Sequence, residues 1–205
     1  MPSLSTKSAP SAPTALIGDP DAALRESIAA LLTRAGHCVL GYAEAQEELL
    51  ALQRRLTPQL IIFGTTGTDQ SALDGVRELR RRDQPALVLL APVSTMSWVR
   101  AARAAGVDAL LGRPPRECDL LAAVETSLDR RAEVLRLQKR NAELQERLET
   151  FSVVARAREV LVRRNGIADD EAERRLARQA QRTGRTLRAV AEAIILAETV
   201  APTTA

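Results

Sequence analysis

The sequence predicts an α/β domain on a five-stranded parallel sheet, then a long coiled-coil helix, then a small all-α domain of three helices. Three observations carry this. Short apolar runs alternate with amphipathic stretches from Thr14 to about Ser127. A helical pattern then continues from Glu117 without Gly or Pro until Gly166. Two short amphipathic segments follow. Strands alternating with helices imply parallel pairing through crossover helices on both faces. The expected organisation is a disordered tail over 1–13, an α/β domain over 14–127, a coiled-coil linker over 128–151 and a helical domain over 152–200.

The start of the chain, "MPSLSTKSAPSAP", is Ser/Pro-rich and lacks the apolar region of a signal peptide. The strands are expected at "TALIG", "CVLGYA", "QLIIFG", "ALVLLAP" and "ALLGRP". Helices are expected at "DAALRESIAALLTRAG", "AQEELLALQRRL", "ALDGVRELRRRD" and "SWVRAARAAG", with Gly36 and Gly106 as left-handed ends. The run Leu60–Phe63 is continuously apolar, as in a strand buried on both faces. Its carboxyl tip, where open α/β folds place their chemistry, is Gly64 followed by a Gly/Thr-rich loop.

In the long helical stretch, Val134, Asn141 and Leu148 share one heptad position, and Leu137, Leu144 and Phe151 share the other. Polar residues fill the rest, which is the pattern of a short coiled coil. An Asn among apolar seam positions favours a parallel homodimer, because two Asn side chains can pair across the axis. Beyond Gly166, "DDEAERRLARQAQRTG" opens on acids, which suit a helix N-terminus, and stops at Gly184. "TLRAVAEAIILAET" has Thr186 as N-cap and an apolar face of Leu187, Val190, Ala191, Ile194 and Ile195.

Composition narrows the function classes. The chain has 205 residues, 45% of them hydrophobic but only 2% aromatic, so its core is aliphatic. Two distant cysteines, Cys38 and Cys118, argue against a disulfide framework or a zinc site and fit a reducing cytoplasm. A single histidine, His37, leaves no basis for His-rich catalysis or metal binding. No apolar stretch is long enough for a membrane span. Neither a Ser/His/Asp set nor a Walker loop is present, so no enzyme, cofactor or metal is expected.

The net charge is only +3 with a pI near 9.4, and arginines concentrate after residue 155. They are Arg156, Arg158, Arg163, Arg164, Arg174, Arg175, Arg178, Arg182, Arg185 and Arg188. Arg174, Arg178 and Arg182 follow i, i+4, i+8 spacing and share a helix face. Arginine offers a planar fork to phosphate and stacks on exposed bases. With Asn165 and Gln179, this set is the candidate RNA-binding surface. The bland alternative is a solvated basic face balanced by Asp and Glu. Two other functions stay open: a DNA-binding regulator and an interaction scaffold. Acids at the start of the would-be recognition helix speak against the first.

Two family resemblances follow. Residues 14–127 resemble a response-regulator receiver of the flavodoxin-like fold. The likeness lies in the strand spacing, the acid in "IGDPD", the Gly in "ARAAGVDALLG" and the "RP" after strand five. Receivers hold magnesium with an acidic pair, phosphorylate an Asp on strand three, and use a Ser/Thr and a Lys to offset phosphate charge. Here the corresponding residues are Asp19 followed by Pro20, Gly64, Ala91 and Arg113. Leu110 stands at the aromatic switch position. Asp19 reads better as a helix N-cap with Pro20 at the first helical position. Asp69 and Asp74 read as solvated. The expectation is a pseudo-receiver that aspartyl phosphate does not switch.

The second resemblance is to the ANTAR domain, the RNA-binding module of transcription antiterminators. It rests on Ala157 to Leu161, Asn165-Gly166, Glu171-Ala172, Leu176 to Ala180, and Leu187, Val190, Ala191 and Ile194. Glu159 and Glu173 depart from the family pattern. A receiver-like domain, a coiled coil and an ANTAR domain together resemble the amidase-operon and nitrate-assimilation regulators. That resemblance implies leader RNA hairpins as the target and a ligand-sensing regulator protein as a partner. The basic run Arg80 to Arg82 reads as a solvated helix end, and Trp98 as surface packing with some scope for a partner contact.

Overall fold

The computed structural model describes residues 12–68, 70–81, 84–92 and 95–200. The tail, Asp69 and Arg82 singled out above therefore lie wholly or mostly outside the described residues. The chain divides into two compact units between Val134 and Leu135.

The first unit alternates strand and helix as expected. Its order is β1 (Thr14–Gly18), α1 (Ala22–Arg34), β2 (Cys38–Ala43), α2 (Gln46–Leu56), β3 (Leu60–Gly64), α3 (Gln70–Arg80), β4 (Ala86–Ala91), α4 (Met96–Ala105) and β5 (Ala109–Gly112). The first part of α5 (Glu117–Asn165) follows. All five strands are parallel, in the order β2-β1-β3-β4-β5. This is the doubly wound arrangement whose strand order reverses beside β1 and β3.

Alternate residues of each central strand feed opposite cores. Ile61, Phe63, Leu87 and Leu89 pack with Leu49, Val76 and Leu79 of α2 and α3. Leu60, Ile62, Val88 and Leu90 pack with Ile28 and Leu32 of α1 and with Leu120 and Val124 of α5. Both faces of β3 and β4 are covered, which is why their sequences are unbroken apolar runs. Gly36 and Gly106 have φ of 89° and 109°. They turn the chain after α1 and α4 in the left-handed region that side chains other than Gly enter at a cost.

Three expectations are corrected here. The N-cap of α1 is Asp21, not Asp19. The Asp21 carboxylate accepts from the Ala23 and Leu24 amides at 3.0 and 3.2 Å, and Pro20 precedes the cap. Arg80 is no solvated helix end. Its guanidinium donates to the carbonyls of Gly106 (2.5 Å) and Pro85 (2.6 Å) and pairs with Asp108 at 2.6 Å. Asp108 in turn accepts from the Leu87 amide at 2.8 Å. Arg80 thus ties the end of α3 to the segments leading into β4 and β5. Arg81 is exposed and pairs with Glu78. Trp98 is only 8% exposed and lies in the core beneath α4, so it is not a surface for a partner.

In the second unit the later part of α5 packs with α6 (Asp169–Thr183) and α7 (Leu187–Val200). A small core of Ala157, Leu176, Val190 and Ala191 joins the three helices, and Val160 and Ala172 are also buried. Gly184 ends α6 in the left-handed region, and Thr186 accepts from the Ala189 amide at 3.2 Å, capping α7 as anticipated. No helix among the described residues is long and apolar enough to cross a membrane.

Candidate functional site

Parallel pairing brings the carboxyl tips of β1, β3, β4 and β5 to one edge of the sheet. Gly18 lies opposite Phe63, Gly64 opposite Leu90, and Ala91 opposite Gly112. Asp19, Gly64, Ala91 and Arg113 therefore gather around one position, as the receiver resemblance implied. The structure fills that position from within the chain.

The Asp19 carboxylate is fully buried and lies against the Arg113 guanidinium in a two-point fork. Arg113 Nη2 donates to Oδ1 at 2.6 Å and Nε to Oδ2 at 3.1 Å. Oδ1 also accepts from the Asp21 amide at 2.8 Å. The Arg25 guanidinium donates to the Asp19 carbonyl. The hydrogen bond to Asp19 raises the Arg113 pKa, partial burial opposes it, and the charges of Asp19 and Asp21 add to the rise.

Gly64 is part of this arrangement. A Cβ built on it would stand 1.7 Å from Asp19 Oδ2. The carboxylate occupies the space where any side chain on residue 64 would begin. Leu110 is half-buried against the α2–α4 core. Asp74 is exposed and pairs with Arg77 at 2.5 Å. It does not join the tip. The ion pair was not read from the sequence, where Asp19 reads as a helix N-cap and Arg113 stands in place of the receiver lysine. An acid after β1 facing an arginine after β5, with Gly between them on β3, was the available signal.

The second candidate site is the helical unit. The α6 acids Asp169, Asp170, Glu171 and Glu173 stand against Arg174, Arg175, Arg178 and Arg182. The structure pairs most of these. Glu171 is the hub: it meets Arg178 at 2.5 Å, Arg174 at 3.3 Å and Arg175 at 3.5 Å. Desolvation acts to raise the Glu171 pKa, but the arginines, Arg178 foremost, outweigh it and hold the carboxyl below its ordinary value. Arg174 also meets Asp170 at 2.6 Å.

Arg158 faces Asp169 at 3.7 Å, Arg163 pairs with Glu198, and Arg188 pairs with Glu192 and Glu149 at 2.8 and 3.2 Å. Arg182 donates to the Gln179 carboxamide oxygen at 2.8 Å. Arg156, Arg164 and Arg185 are exposed and without an ion pair among the described residues. Asn165 ends α5 on the surface, just before Gly166 with φ of 61°. The anticipated basic face thus exists, but much of it is held by acids on its own helices. Sequence reasoning assigned Glu171 only a place in a motif and missed its role as an anchor for three guanidinium groups.

Along α5, Leu137, Leu144, Leu148 and Phe151 remain uncovered, Leu148 and Phe151 at 70% and 73% exposure. Asn141 is exposed and Val134 half-buried. Apart from Val134, the residues of the heptad seam are thus solvent-facing within a single chain.

Comparison with known proteins agrees with this anatomy. Residues 142–195 match the family model of the ANTAR domain. The α/β unit shares its fold with a CheY-like response regulator receiver domain protein from Methanospirillum hungatei. That match has 22% identity and a TM-score of 0.54, and it covers 60% of this chain and 98% of that one. A response regulator from Thermotoga maritima matches at 18% identity and TM-score 0.53, over 58% of this chain and 98% of that one. The chain therefore resembles an ANTAR-type regulator: an ANTAR-matching segment over 142–195 follows a unit of receiver-like fold. Among individual proteins, it is 29% identical over 180 residues to the transcriptional regulatory protein PdtaR of Mycobacterium tuberculosis, found in two strains. That alignment covers 88% of each chain.

Proposed function

We propose that this chain binds leader RNA hairpins as a homodimer and prevents transcription termination, under control of protein contact rather than aspartyl phosphate. The observation that carries the reading is the ANTAR match on a compact three-helix unit rich in arginine. Guanidinium groups that are already ion-paired keep spare donors, because Arg has five and a carboxylate engages one or two. A phosphate backbone can thus be met without breaking the pairs at Glu171.

The second half of the proposal rests on the strand tips. Gly64 offers no nucleophile, and the Arg113 guanidinium meets the Asp19 carboxylate that a receiver would use for magnesium. A receiver-like domain of this kind serves as a surface for another protein, a ligand-sensing regulator in the resemblance drawn above. The coiled-coil seam from Val134 to Phe151 is the proposed dimer contact, since Leu137, Leu144, Leu148 and Phe151 are uncovered in one chain.

The test is binding of the full chain to a paired-hairpin leader RNA and to the same sequence as duplex DNA, over a salt series. Preferred RNA binding that weakens steeply with salt, and falls in Arg174→Ala/Arg178→Ala, is the expected result. Equal binding to both nucleic acids, or indifference to those arginines, would refute it.

A further inference from the structure

The first unit holds a second concentration of positive charge, at the amino-terminal ends of β4 and β5, away from the strand tips. A cavity of about 340 Å³ lies there beside the turn between α4 and β5, at the small end of the range for ligand sites. Guanidinium groups line it from three helices: Arg80 at the end of α3, Arg103 on α4 and Arg130 on α5. Val99 and Leu110 give it an apolar wall. Asp108 is the one acid among its described lining residues.

That carboxylate is already engaged. Its Oδ1 accepts from Arg80 at 2.6 Å and its Oδ2 from the Leu87 amide at 2.8 Å. Arg80 is recessed, with its side chain 17% exposed. It donates to the Gly106 and Pro85 carbonyls and to Asp108 through three different nitrogens, which leaves one spare donor on each terminal nitrogen. Arg103 and Arg130 are exposed and without an ion pair among the described residues. Arg131 adds a further positive charge nearby. Its Nη2 donates to the Gln84 carboxamide oxygen, and its buried Nε has no hydrogen-bond partner among the described residues. Burial lowers the Arg131 pKa, and the charge of Arg80 lowers it further, against the pull of Asp108. Arg80, Arg103, Arg130 and Arg131 thus share a single carboxylate, a crowding of like charge that an added anion would relieve.

We propose that this cavity is an anion site for the phosphoryl group of a small ligand, either a free phosphate species or a nucleotide. Forks that reach one space from three helices suit the several oxygens of a tetrahedral phosphoryl group better than the two coplanar oxygens of a carboxylate. Arg103 and Arg130 hold the group from the rim, and Arg80 meets it with its spare donors. The apolar wall of Val99 and Leu110 is where a nucleoside would lie. The recessed position of Arg80 favours a small ligand over a nucleic-acid backbone. This inference stands apart from the RNA-binding reading, whose arginines belong to the helical unit.

The test is calorimetric titration of the full chain with inorganic pyrophosphate and with ADP, against sodium chloride at matched ionic strength. Saturable binding at one site per chain is expected. It should weaken about tenfold or more in Arg103→Gln/Arg130→Gln and stay unchanged in Arg174→Ala/Arg178→Ala. Trp98 lies on the same helix as Arg103, so an unmoved Trp98 urea midpoint shows that the double variant is folded. If that midpoint moves, Arg103→Gln alone is the variant read. Tighter binding of ADP than of pyrophosphate assigns the site to a nucleotide, and equal binding assigns it to a free phosphate species; both support it. Binding no stronger than the chloride control, indifferent to Arg103 and Arg130, or lost in the Arg174/Arg178 variant overturns it. Binding of polyglutamate without binding of pyrophosphate also overturns it, and makes the cavity a contact for an acidic protein segment.

Discussion

Replacing Arg113 with Met gives the most direct test of the strand-tip ion pair. The Asp19 side chain has no solvent exposure and accepts three hydrogen bonds, two of them from Arg113. Arg113→Met leaves a buried carboxylate with only the Asp21 amide. Removing one member of such a pair costs about 3–5 kcal/mol, because the remaining charge is uncompensated. The converse variant, Asp19→Asn, should cost less, about 1–3 kcal/mol. Arg113 is 19% exposed and lies 4.0 Å from Asp21, so its charge keeps both water and an acid.

The double variant Asp19→Asn/Arg113→Met removes both charges, so its loss should fall short of the sum of the singles. The two residues touch, where coupling of about 0.5–3 kcal/mol is usual. Urea unfolding followed by Trp98 fluorescence isolates the effect. Trp98 is the only tryptophan and is buried in the α/β unit. An Arg113→Met loss below about 1 kcal/mol, or an additive cycle with unchanged m-values, would refute the reasoning.

The remaining predictions are these. Gly64→Ala should lower the Trp98-detected midpoint, because its Cβ would overlap Asp19 Oδ2, and the cost should shrink in an Asp19→Gly background. The Glu171 carboxyl, followed by NMR, should titrate below the ordinary Glu range; its contacts are complete above that range and are lost as pH falls through the lowered value. In Arg178→Ala the midpoint should move back up; an unmoved midpoint contradicts the hub. Leu144→Lys/Leu148→Lys should convert a dimer to a monomer in sedimentation while the α/β unit keeps its urea midpoint. Leu176→Ala, at the centre of the helical core, should cost about 2–5 kcal/mol and melt the helical unit without moving Trp98 fluorescence.

Much of the architecture was legible because it is written in local periodicity. β3 and β4 are apolar without interruption, since helices cover both faces of the sheet, and this alone marks them as central. Gly184 and Thr186 bracket the turn between α6 and α7 because the left-handed region and the N-cap favour those residue types. The pairing of positions at the strand tips was legible only as a set of departures from the receiver pattern.

Element order, the parallel α/β class, the long helix and the three-helix end follow from local sequence, because hydrophobic period and caps act over a few residues. Which charges meet is set by the three-dimensional fold. Asp19 and Arg113 lie 94 residues apart and touch because β1 and β5 end at the same edge of the sheet. Arg80 left solvent because Gly106, Pro85 and Asp108 converge on it from segments that share no local pattern. The acids of α6 were visible as a helix start, yet whether Glu171 faces water or three arginines depends on side-chain geometry across successive turns. A carboxylate and a guanidinium have no period of their own, so the fold chooses their partners.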